Sequence, residues 1–205
     1  MPRLTIAHMN ELAAELVARD SAFTAIVETA ELCPFGRVKP DTTHFESLVR
    51  AVISQQISTA AARTIRGRLT DAAGGELTPA ALASFSAEDM QACGLYKAKV
   101  RSLSELAAAA HCGEIDFVRI AREPDDVIVK QLTNIFGIGR WTVEMFLMFQ
   151  LGRIDIWPTG DLAVRRGWDV LHPQHAPSTE RSLKPLGEPF AGLRSVAAWY
   201  CWRAS

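Results

Sequence analysis

Apolar residues recur every three or four positions along almost the whole chain, and they rarely alternate with polar residues over more than four positions. That spacing is the period of an amphipathic α-helix, whereas a half-buried strand would alternate at every second position. No internal repeat, low-complexity tract or long polar linker interrupts the pattern across the 205 residues. The sequence therefore predicts an all-α protein in which two lobes of helices are joined by ordered crossings.

The overall charge is close to zero, with 22 Lys and Arg against 23 Asp and Glu, and by itself it gives no sign of a nucleic acid partner. The charges are nevertheless sorted along the chain. Residues 47–70 contain four arginines and no acid, whereas acids concentrate in residues 105–126. The near-zero net charge of the whole chain therefore conceals one basic segment and one acidic segment.

The four cysteines, Cys33, Cys93, Cys112 and Cys201, are far apart and form neither a Cys-x-x-Cys pair nor a cluster with histidine. This distribution is typical of reduced thiols in a cytoplasmic protein. No run approaches the roughly 18 apolar residues of a membrane-spanning helix, and no secretory leader is recognisable. We therefore expect a cytoplasmic protein without a membrane segment.

Local signals predict most helix boundaries. Thr43 followed by Glu46 is a capping-box pattern, and Thr78 and Ser86 are similar N-terminal signals. The helix predicted to begin after Thr43 has an apolar stripe formed by Phe45, Leu48, Val49 and Val52. Further helices are predicted over residues 96–111, 124–135, 140–150 and 193–203, and after residue 161. The alanine-rich residues 103–110 indicate close helix packing.

Phe136-Gly-Ile-Gly139 lies where one predicted helix stops and the next starts. Gly137 and Gly139 permit backbone angles and a close approach that a side chain would forbid, and Ile138 can fill the gap between the helices. The unpaired N–H groups at the start of the second helix favour an anion such as a phosphate. An ordinary helix–helix turn with a C-terminal glycine explains the same residues and remains open.

The helix after this turn begins with Arg140 and Trp141, and no acid precedes Glu144, so its start is locally positive. It is apolar on nearly every side, which predicts burial between the lobes. Asp161 lies 22 residues after Gly139 and precedes another helix, whose N-terminus favours an ionised carboxylate. Asp is also a common N-cap, so a purely structural role remains open.

The last predicted helix has two different sides. Leu193, Val196, Ala197 and Tyr200 form one stripe, while Ser195, Trp199 and Trp202 lie on the other side. Trp202 is therefore expected to face away from the core stripe of its own helix. It would either pack against the other lobe or line a pocket.

Five segments, taken in order, resemble the helix-hairpin-helix DNA glycosylase superfamily, and within it the compact form of 3-methyladenine DNA glycosylase II (AlkA-like) that lacks the extra N-terminal domain. They are FESLVRAVISQQIS (45–58), GLYKAK (94–99), FGIGRWT (136–142), WPTGD (157–161) and RSVAAWYCW (194–202). The resemblance implies an active-site cleft between two lobes. One lobe would comprise about residues 40–125, and the other residues 1–39 and 126–205, including the hairpin and Asp161.

Carried over position by position, the resemblance implies that Asp161 is the catalytic carboxylate and that Gln56 fills the gap left by a flipped nucleotide. The base pocket would be lined by Trp141, Met145 and Trp202. DNA contacts are expected from Gln55, Gln56, Gly137, Ile138, Gly139, Arg140 and Thr142. The backbone carbonyls of Thr133, Ile135 and Ile138 would hold a structural Na⁺ or K⁺ ion.

Several positions depart from the family pattern. Phe136 replaces a common proline, which would leave the turn less rigid, and Gly160 replaces the usual acid before the aspartate. Trp141 stands where bifunctional members carry a nucleophilic lysine, which predicts monofunctional base release. Only Cys201 lies beyond residue 112, so we expect no iron–sulfur cluster and no cofactor for catalysis.

The resemblance thus implies a monofunctional DNA glycosylase of base excision repair. It would act as a monomer on double-stranded DNA containing alkylated bases, in the cytoplasm and associated with the nucleoid while working. We expect it to contact a few phosphates and no membrane. Two alternatives remain: a non-catalytic helix-hairpin-helix module that docks on the DNA backbone, and an all-helical protein-interaction domain. A docking module would need none of Asp161, Trp141 and Trp202.

Overall fold

The computed structural model describes residues 4–37, 40–173 and 176–205. Within these ranges the regular elements are helical and no β-strand occurs, which confirms the all-α prediction. The α-helices are α1 (Ile6–Arg19), α2 (Thr24–Thr29), α3 (His44–Ser54), α4 (Thr59–Ala72), α5 (Pro79–Ala83), α6 (Ala87–Ala92), α7 (Lys97–His111), α8 (Asp125–Thr133), α9 (Arg140–Met145), α10 (Leu162–Leu171), α11 (Glu180–Leu186) and α12 (Arg194–Ala204). None of these described helices has the length and apolar character needed to span a membrane.

The chain divides into two compact units. The terminal unit comprises Met1–Lys39 and Leu147–Ser205, and the central unit comprises Pro40–Phe146. The sequence prediction differs at one point, because residues 126–146, with the hairpin, group with residues 40–125 and not with Asp161. The physical reason is that the hairpin is held from within the central unit. Glu105 on α7 accepts a hydrogen bond from the Phe136 N–H group, and the Gln55 side chain donates one to the Gly137 carbonyl.

In the terminal unit, α10 and α12 pack closely along a glycine. A Cβ atom at Gly167 would overlap the backbone carbonyl of Cys201, so only glycine permits this approach. α12 also contacts α1 and α2, and all residues from 195 to 201 are buried. The predicted stripe of Leu193, Val196, Ala197 and Tyr200 is buried, and Ser195 and Trp199 on the other side of the helix are buried as well.

In the central unit, the predicted caps and stripe are confirmed. The Thr43 hydroxyl accepts a hydrogen bond from the Glu46 N–H group at 3.1 Å, and Thr78 and Ser86 cap α5 and α6 in the same way. The apolar stripe of α3, formed by Phe45, Leu48, Val49 and Val52, is fully buried. α5 and α6 both pack on α7, which ends at His111 as predicted.

The helix predicted over residues 140–150 differs from the observed one. α9 covers Arg140–Met145, and a π-helical turn covers Phe146–Gln150. This wider turn shifts the register, so that Met148 is buried whereas Phe149 is exposed. Trp141 is also exposed, so the expectation that this helix is buried on nearly every side is wrong.

Candidate active site and nucleic-acid interface

Asp161 is a buried carboxylate at the N-cap of α10. Its Oδ1 atom accepts a hydrogen bond from the Val164 backbone N–H group at 2.9 Å, which is the expected capping contact. The same oxygen accepts a second hydrogen bond, at 3.0 Å, from Nε1–H of Trp202 on α12. Asp161 is therefore a buried carboxylate held in place by these donors, and one of them, the Trp202 indole, has no role in capping.

Aromatic rings surround the Asp161–Trp202 pair within the terminal unit. The ring of Phe149 lies 5.7 Å from the ring of Trp202, and Phe35 packs edge-on against both rings, at 4.8 Å from Phe149 and 6.3 Å from Trp202. Half of the Phe149 side chain is exposed, so the cluster has a surface open to a planar ligand. Sequence reasoning did not identify Phe35 or Phe149, because neither belongs to a motif and the π-helical turn sets the direction of Phe149.

The indole of Trp199 has a structural role in the same helix. Its Nε1–H group donates to the Glu31 carbonyl at 2.8 Å, and its ring is buried. The guanidinium of Arg203 lies 4.0 Å from the centre of that ring. Of the two indoles on α12, only Trp202 contacts the carboxylate.

The two glycines of the hairpin differ in what the fold requires of them. Gly137 has φ +77°, and a Cβ atom there would overlap the Ser102 hydroxyl on α7, so the fold itself demands glycine. Gly139 has φ −85° and ψ 168°, which any residue can adopt, and a Cβ atom there would meet nothing within 4 Å. Nothing inside the protein therefore requires glycine at 139, and the absence of a side chain leaves the backbone there open to the close approach of an external group. Ile138, between them, is buried as predicted.

The turn before Gly137 is held by two residues of α7. The Phe136 N–H group donates to Oε2 of Glu105 at 2.8 Å, and Arg101 Nε donates to Oε1 of the same carboxylate at 2.8 Å. The Arg101 guanidinium also lies 3.9 Å from the centre of the Phe136 ring. The backbone hydrogen bond, more than Arg101, lowers the pKa of Glu105 below its ordinary value. A turn that is less rigid than one with proline stays a prediction, but contacts from α7 hold the Phe136 turn in place.

Gln55 and Gln56 follow α3 in a strained loop. Gln56 is exposed, with φ +57°, and it is the only non-glycine residue with positive φ in the described part of the chain. Such a conformation costs about 1–3 kcal/mol and tends to occur at functional sites. Gln55 is instead turned toward the hairpin, where its Nε2 group donates to the Gly137 carbonyl at 3.1 Å. Gln56 is thus presented to solvent, whereas Gln55 connects the loop to the hairpin.

Lys99 on α7 anchors this loop, and sequence reasoning did not assign it a role. Its Nζ group donates to the carbonyls of Ile53 at 2.5 Å and Gln55 at 2.8 Å, at the end of α3. The side chain is buried, and the resulting desolvation lowers the pKa of Lys99. Its place in the GLYKAK segment was the available signal, but only the fold shows which carbonyls it reaches.

Two predicted DNA-binding side chains have partners within the protein. Thr142 is buried, with its hydroxyl 3.5 Å from Nε2 of Gln55, so its side chain does not face solvent. Arg140 is exposed, but its Nε group donates to the buried Glu144 carboxylate at 2.9 Å. The positive charge at the start of α9 is therefore smaller than the sequence predicted, because the Glu144 carboxylate one turn later pairs with Arg140.

The predicted base-pocket residues belong to different units. Trp202 lies in the terminal unit with Asp161, while Trp141 and Met145 lie on α9 in the central unit. Trp141 is 47% exposed and Met145 is partly buried, so the indole of Trp141 is accessible to a ligand. The structure brings together Asp161 with Trp202, and Gln55 with the hairpin.

The carbonyls proposed for an alkali-metal ion lie at the last residue of α8 and in the turn after it. Thr133 is the last residue of that helix, whose C-terminus carries partial negative charge. The Ile135 carbonyl accepts a hydrogen bond from the Ile138 N–H group at 3.1 Å, which leaves it a second lone pair. In the described ranges, no group of three or more His, Cys, Asp or Glu side chains is placed to hold a metal. The donor chemistry here fits a hard cation held by backbone oxygens.

Comparison with known proteins identifies the family. Residues 49–191 match the HhH-GPD superfamily of base excision DNA repair proteins. DNA-3-methyladenine glycosylase 1 of Schizosaccharomyces pombe is 38% identical over 164 residues, which cover 78% of this chain and 72% of that protein.

Two solved structures have a similar fold. A DNA-3-methyladenine glycosidase from Bacillus halodurans superposes with a TM-score of 0.84 at 31% identity, covering 94% of this chain and 88% of its own. A Schizosaccharomyces pombe 3-methyladenine DNA glycosylase in complex with abasic DNA gives 0.81 at 33% identity, covering 94% and 95%. The chain therefore belongs to the HhH-GPD superfamily of base excision DNA repair proteins.

Proposed function

We propose that this base excision repair glycosylase is monofunctional and hydrolyses the N-glycosidic bond of alkylated bases flipped out of duplex DNA. The class of substrate would be that of a type II 3-methyladenine glycosylase, with 3-methyladenine and 7-methylguanine as typical bases. The observation that carries the proposal is the buried Asp161 carboxylate, which accepts hydrogen bonds from Val164 N–H and Trp202 Nε1–H.

The chemistry needs one well-placed anion. Breaking the bond between the sugar and the base passes through a state with oxocarbenium character, and a nearby carboxylate stabilises the positive charge on the sugar. Alkylation at a ring nitrogen makes the purine cationic and a good leaving group, so no general acid is required. The Val164 and Trp202 donors hold Asp161 in position, which reduces the reorganisation needed when charge develops.

Aromatic residues supply the affinity for a cationic base. The candidates are Trp202, which lies against Phe149 beside Asp161, and the accessible indole of Trp141. Each ring contributes about 0.5–2 kcal/mol of cation–π attraction. Flipping costs a few kcal/mol and is easiest for a damaged base, so stacking and extrusion both favour alkylated substrates.

The remaining parts of the proposal concern DNA and ions. The open backbone at Gly139 supports phosphate binding by the hairpin, and the exposed, strained Gln56 supports its insertion into the duplex. The carbonyls of Thr133, Ile135 and Ile138 would hold a Na⁺ or K⁺ ion that stabilises the turn. We further propose that the protein acts as a monomer in the reducing cytoplasm, where its cysteines would remain the free thiols that the structure contains.

The main competitor is a module that docks on DNA without catalysis. It is favoured by one observation, namely that Asp161 caps α10 and so has a structural role in any case. Asp161→Asn separates the two functions, because asparagine is an equally good N-cap. We expect the variant to fold and to bind duplex DNA while base release from methylated duplex is lost.

The matched control is Asp169→Asn on the same helix, whose carboxylate accepts hydrogen bonds from the Ser178 N–H group. We expect it to release 3-methyladenine at the wild-type rate. Full activity of Asp161→Asn would refute the mechanism, and no release by the wild-type protein would favour the docking module.

Borohydride added during turnover should trap no covalent adduct, since Trp141 replaces the nucleophilic lysine.

A further inference from the structure

The central unit contains a basic cavity that neither the hairpin nor the active site uses. It has a volume of about 160 Å³ and lies between the last turn of α3 and the first half of α4. Its lining consists of Arg50, Ile53, Ser54, Thr59, Ala62, Arg63 and Arg66. Three of these seven residues carry positive charge and none is acidic.

Two of the three charges are uncompensated. Arg50 forms ion pairs with Glu46 at 2.9 Å and with Asp41 at 3.5 Å. Arg63 and Arg66 form no hydrogen bond or ion pair with any residue that the structure describes, and residues 47–70 contain no acid. The cavity therefore has a net positive potential and retains guanidinium donors for a ligand.

The rest of the lining strengthens this potential. Ile53 and Ala62 are buried and form an apolar floor, next to which charge interactions are screened less than in open water. Thr59 is the first residue of the 14-residue helix α4, whose N-terminus adds partial positive charge. An oxyanion entering the cavity would meet two guanidinium groups above an apolar surface.

The cavity adjoins the strained loop. Ser54 and Thr59, which both line it, are the residues on either side of the 55–58 loop. Gln55 in that loop contacts the hairpin, and Gln56 projects to solvent. A duplex that meets both Gln56 and the hairpin therefore has its backbone close to the arginines.

We propose that Arg63 and Arg66 form a second phosphate-binding site, separate from the hairpin amides, that holds the backbone of duplex DNA next to the 55–58 loop. The inference rests on the proposed function only in taking duplex DNA as the ligand. It enlarges the footprint beyond the few phosphates expected from the sequence.

The test is the salt dependence of binding by the double variant Arg63→Gln, Arg66→Gln. Glutamine keeps a polar side chain and removes the charge. Affinity is measured for an undamaged duplex and for a duplex with an abasic-site analogue, over a range of salt concentrations. The slope of log K against log salt changes by about 0.9 for each phosphate contact, so we expect it to become shallower by about 1.8. Thermal unfolding checks that the variant is folded.

The matched control is Arg119→Gln, Arg122→Gln, which removes the same charge from exposed positions in the same unit. We expect this variant to keep the wild-type slope. Equal slopes for the wild-type protein and the Arg63, Arg66 variant would overturn the proposal. Equal losses in the two double variants would also overturn it, because they would indicate a general charge effect.

Neutral methylphosphonate linkages, placed one at a time in both strands, locate the contact. We expect at least one linkage that weakens binding by the wild-type protein and leaves binding by the Arg63, Arg66 variant unchanged. The lack of any such position would refute a specific phosphate site. Base release by the wild-type protein is measured separately, so a failure of the glycosylase assignment is distinguishable from a failure of this site.

Discussion

Replacing each hairpin glycine by alanine should have opposite effects on stability and on DNA binding. Gly137→Ala adds a side chain at φ +77°, which costs about 1–2 kcal/mol for a residue other than glycine. The new Cβ atom would also overlap the Ser102 hydroxyl, which donates to the Ala98 carbonyl. Displacing that side chain adds about 1 kcal/mol, so we expect a total loss of about 2–3 kcal/mol in the free energy of unfolding.

Gly139→Ala should not destabilise the fold. Its φ and ψ suit alanine, and the new Cβ atom meets nothing within 4 Å. Reducing the freedom of the unfolded chain should raise stability by about 0.4–1 kcal/mol. The methyl group would nevertheless stand where a phosphate must approach the amides at the start of α9. We expect affinity for duplex DNA to fall at least tenfold, or about 1.4 kcal/mol.

Urea denaturation and duplex binding, measured on Gly137→Ala and Gly139→Ala, test whether the first variant loses stability and the second loses DNA affinity. Adding Ser102→Ala to Gly137→Ala should recover the steric part of the loss, because the nearest remaining Ser102 atom, Cβ, is 3.4 Å away. Wild-type DNA affinity in a stable Gly139→Ala variant would refute the reasoning, since the open backbone would then have no ligand. A large loss of stability in that variant would contradict the geometry at 139.

Two further predictions concern residues that hold the site. Trp202→Phe keeps a ring against Phe149 but removes the donor to Asp161. A hydrogen bond to a charged group contributes about 1.5–3 kcal/mol, so base release should slow by about 10- to 150-fold. Single-turnover kinetics measure this, and an unchanged rate would exclude a positioning role. Glu105→Gln should lower the free energy of unfolding at neutral pH. Folding lowers the pKa of Glu105 from 4.5, so the ionised carboxylate stabilises the folded state above pH 4.5. This stabilisation is lost as the pH falls through the lowered pKa. Denaturation of the wild-type protein and the Glu105→Gln variant at about pH 7 and about pH 3 tests this. Their difference in stability should be smaller at the lower pH, and a difference independent of pH would contradict the prediction.

The sequence predicted the features that depend on near neighbours in the chain. Thr43 and Ser86 cap their helices through backbone N–H groups three residues later, and Asp161 does the same for α10. Such contacts require only local geometry, so composition and spacing identify them. The all-α class followed for the same reason, because periodicity is a local property.

The contacts that complete the candidate site join distant parts of the chain. Trp202 reaches Asp161 across 41 positions, and Lys99 reaches the carbonyl of Gln55 across 44. Spacing could place Trp202 on a face of its helix but could not show that its N–H group meets the carboxylate. The position of Phe149 was equally inaccessible, because it depends on a π-helical turn that the apolar pattern does not distinguish from an α-helix.

Phe136 shows how such long-range contacts alter the meaning of a substitution. Proline at this position would fix the backbone angle and would have no N–H group. Phenylalanine leaves the backbone freer, but its N–H group donates to Glu105 at 2.8 Å and its ring lies under the guanidinium of Arg101. The Arg101–Glu105 ion pair on α7 therefore holds the turn from outside, where proline would hold it from within. Ser102 on the same helix lies close to Gly137, so α7 contacts the hairpin at two successive residues, Phe136 and Gly137.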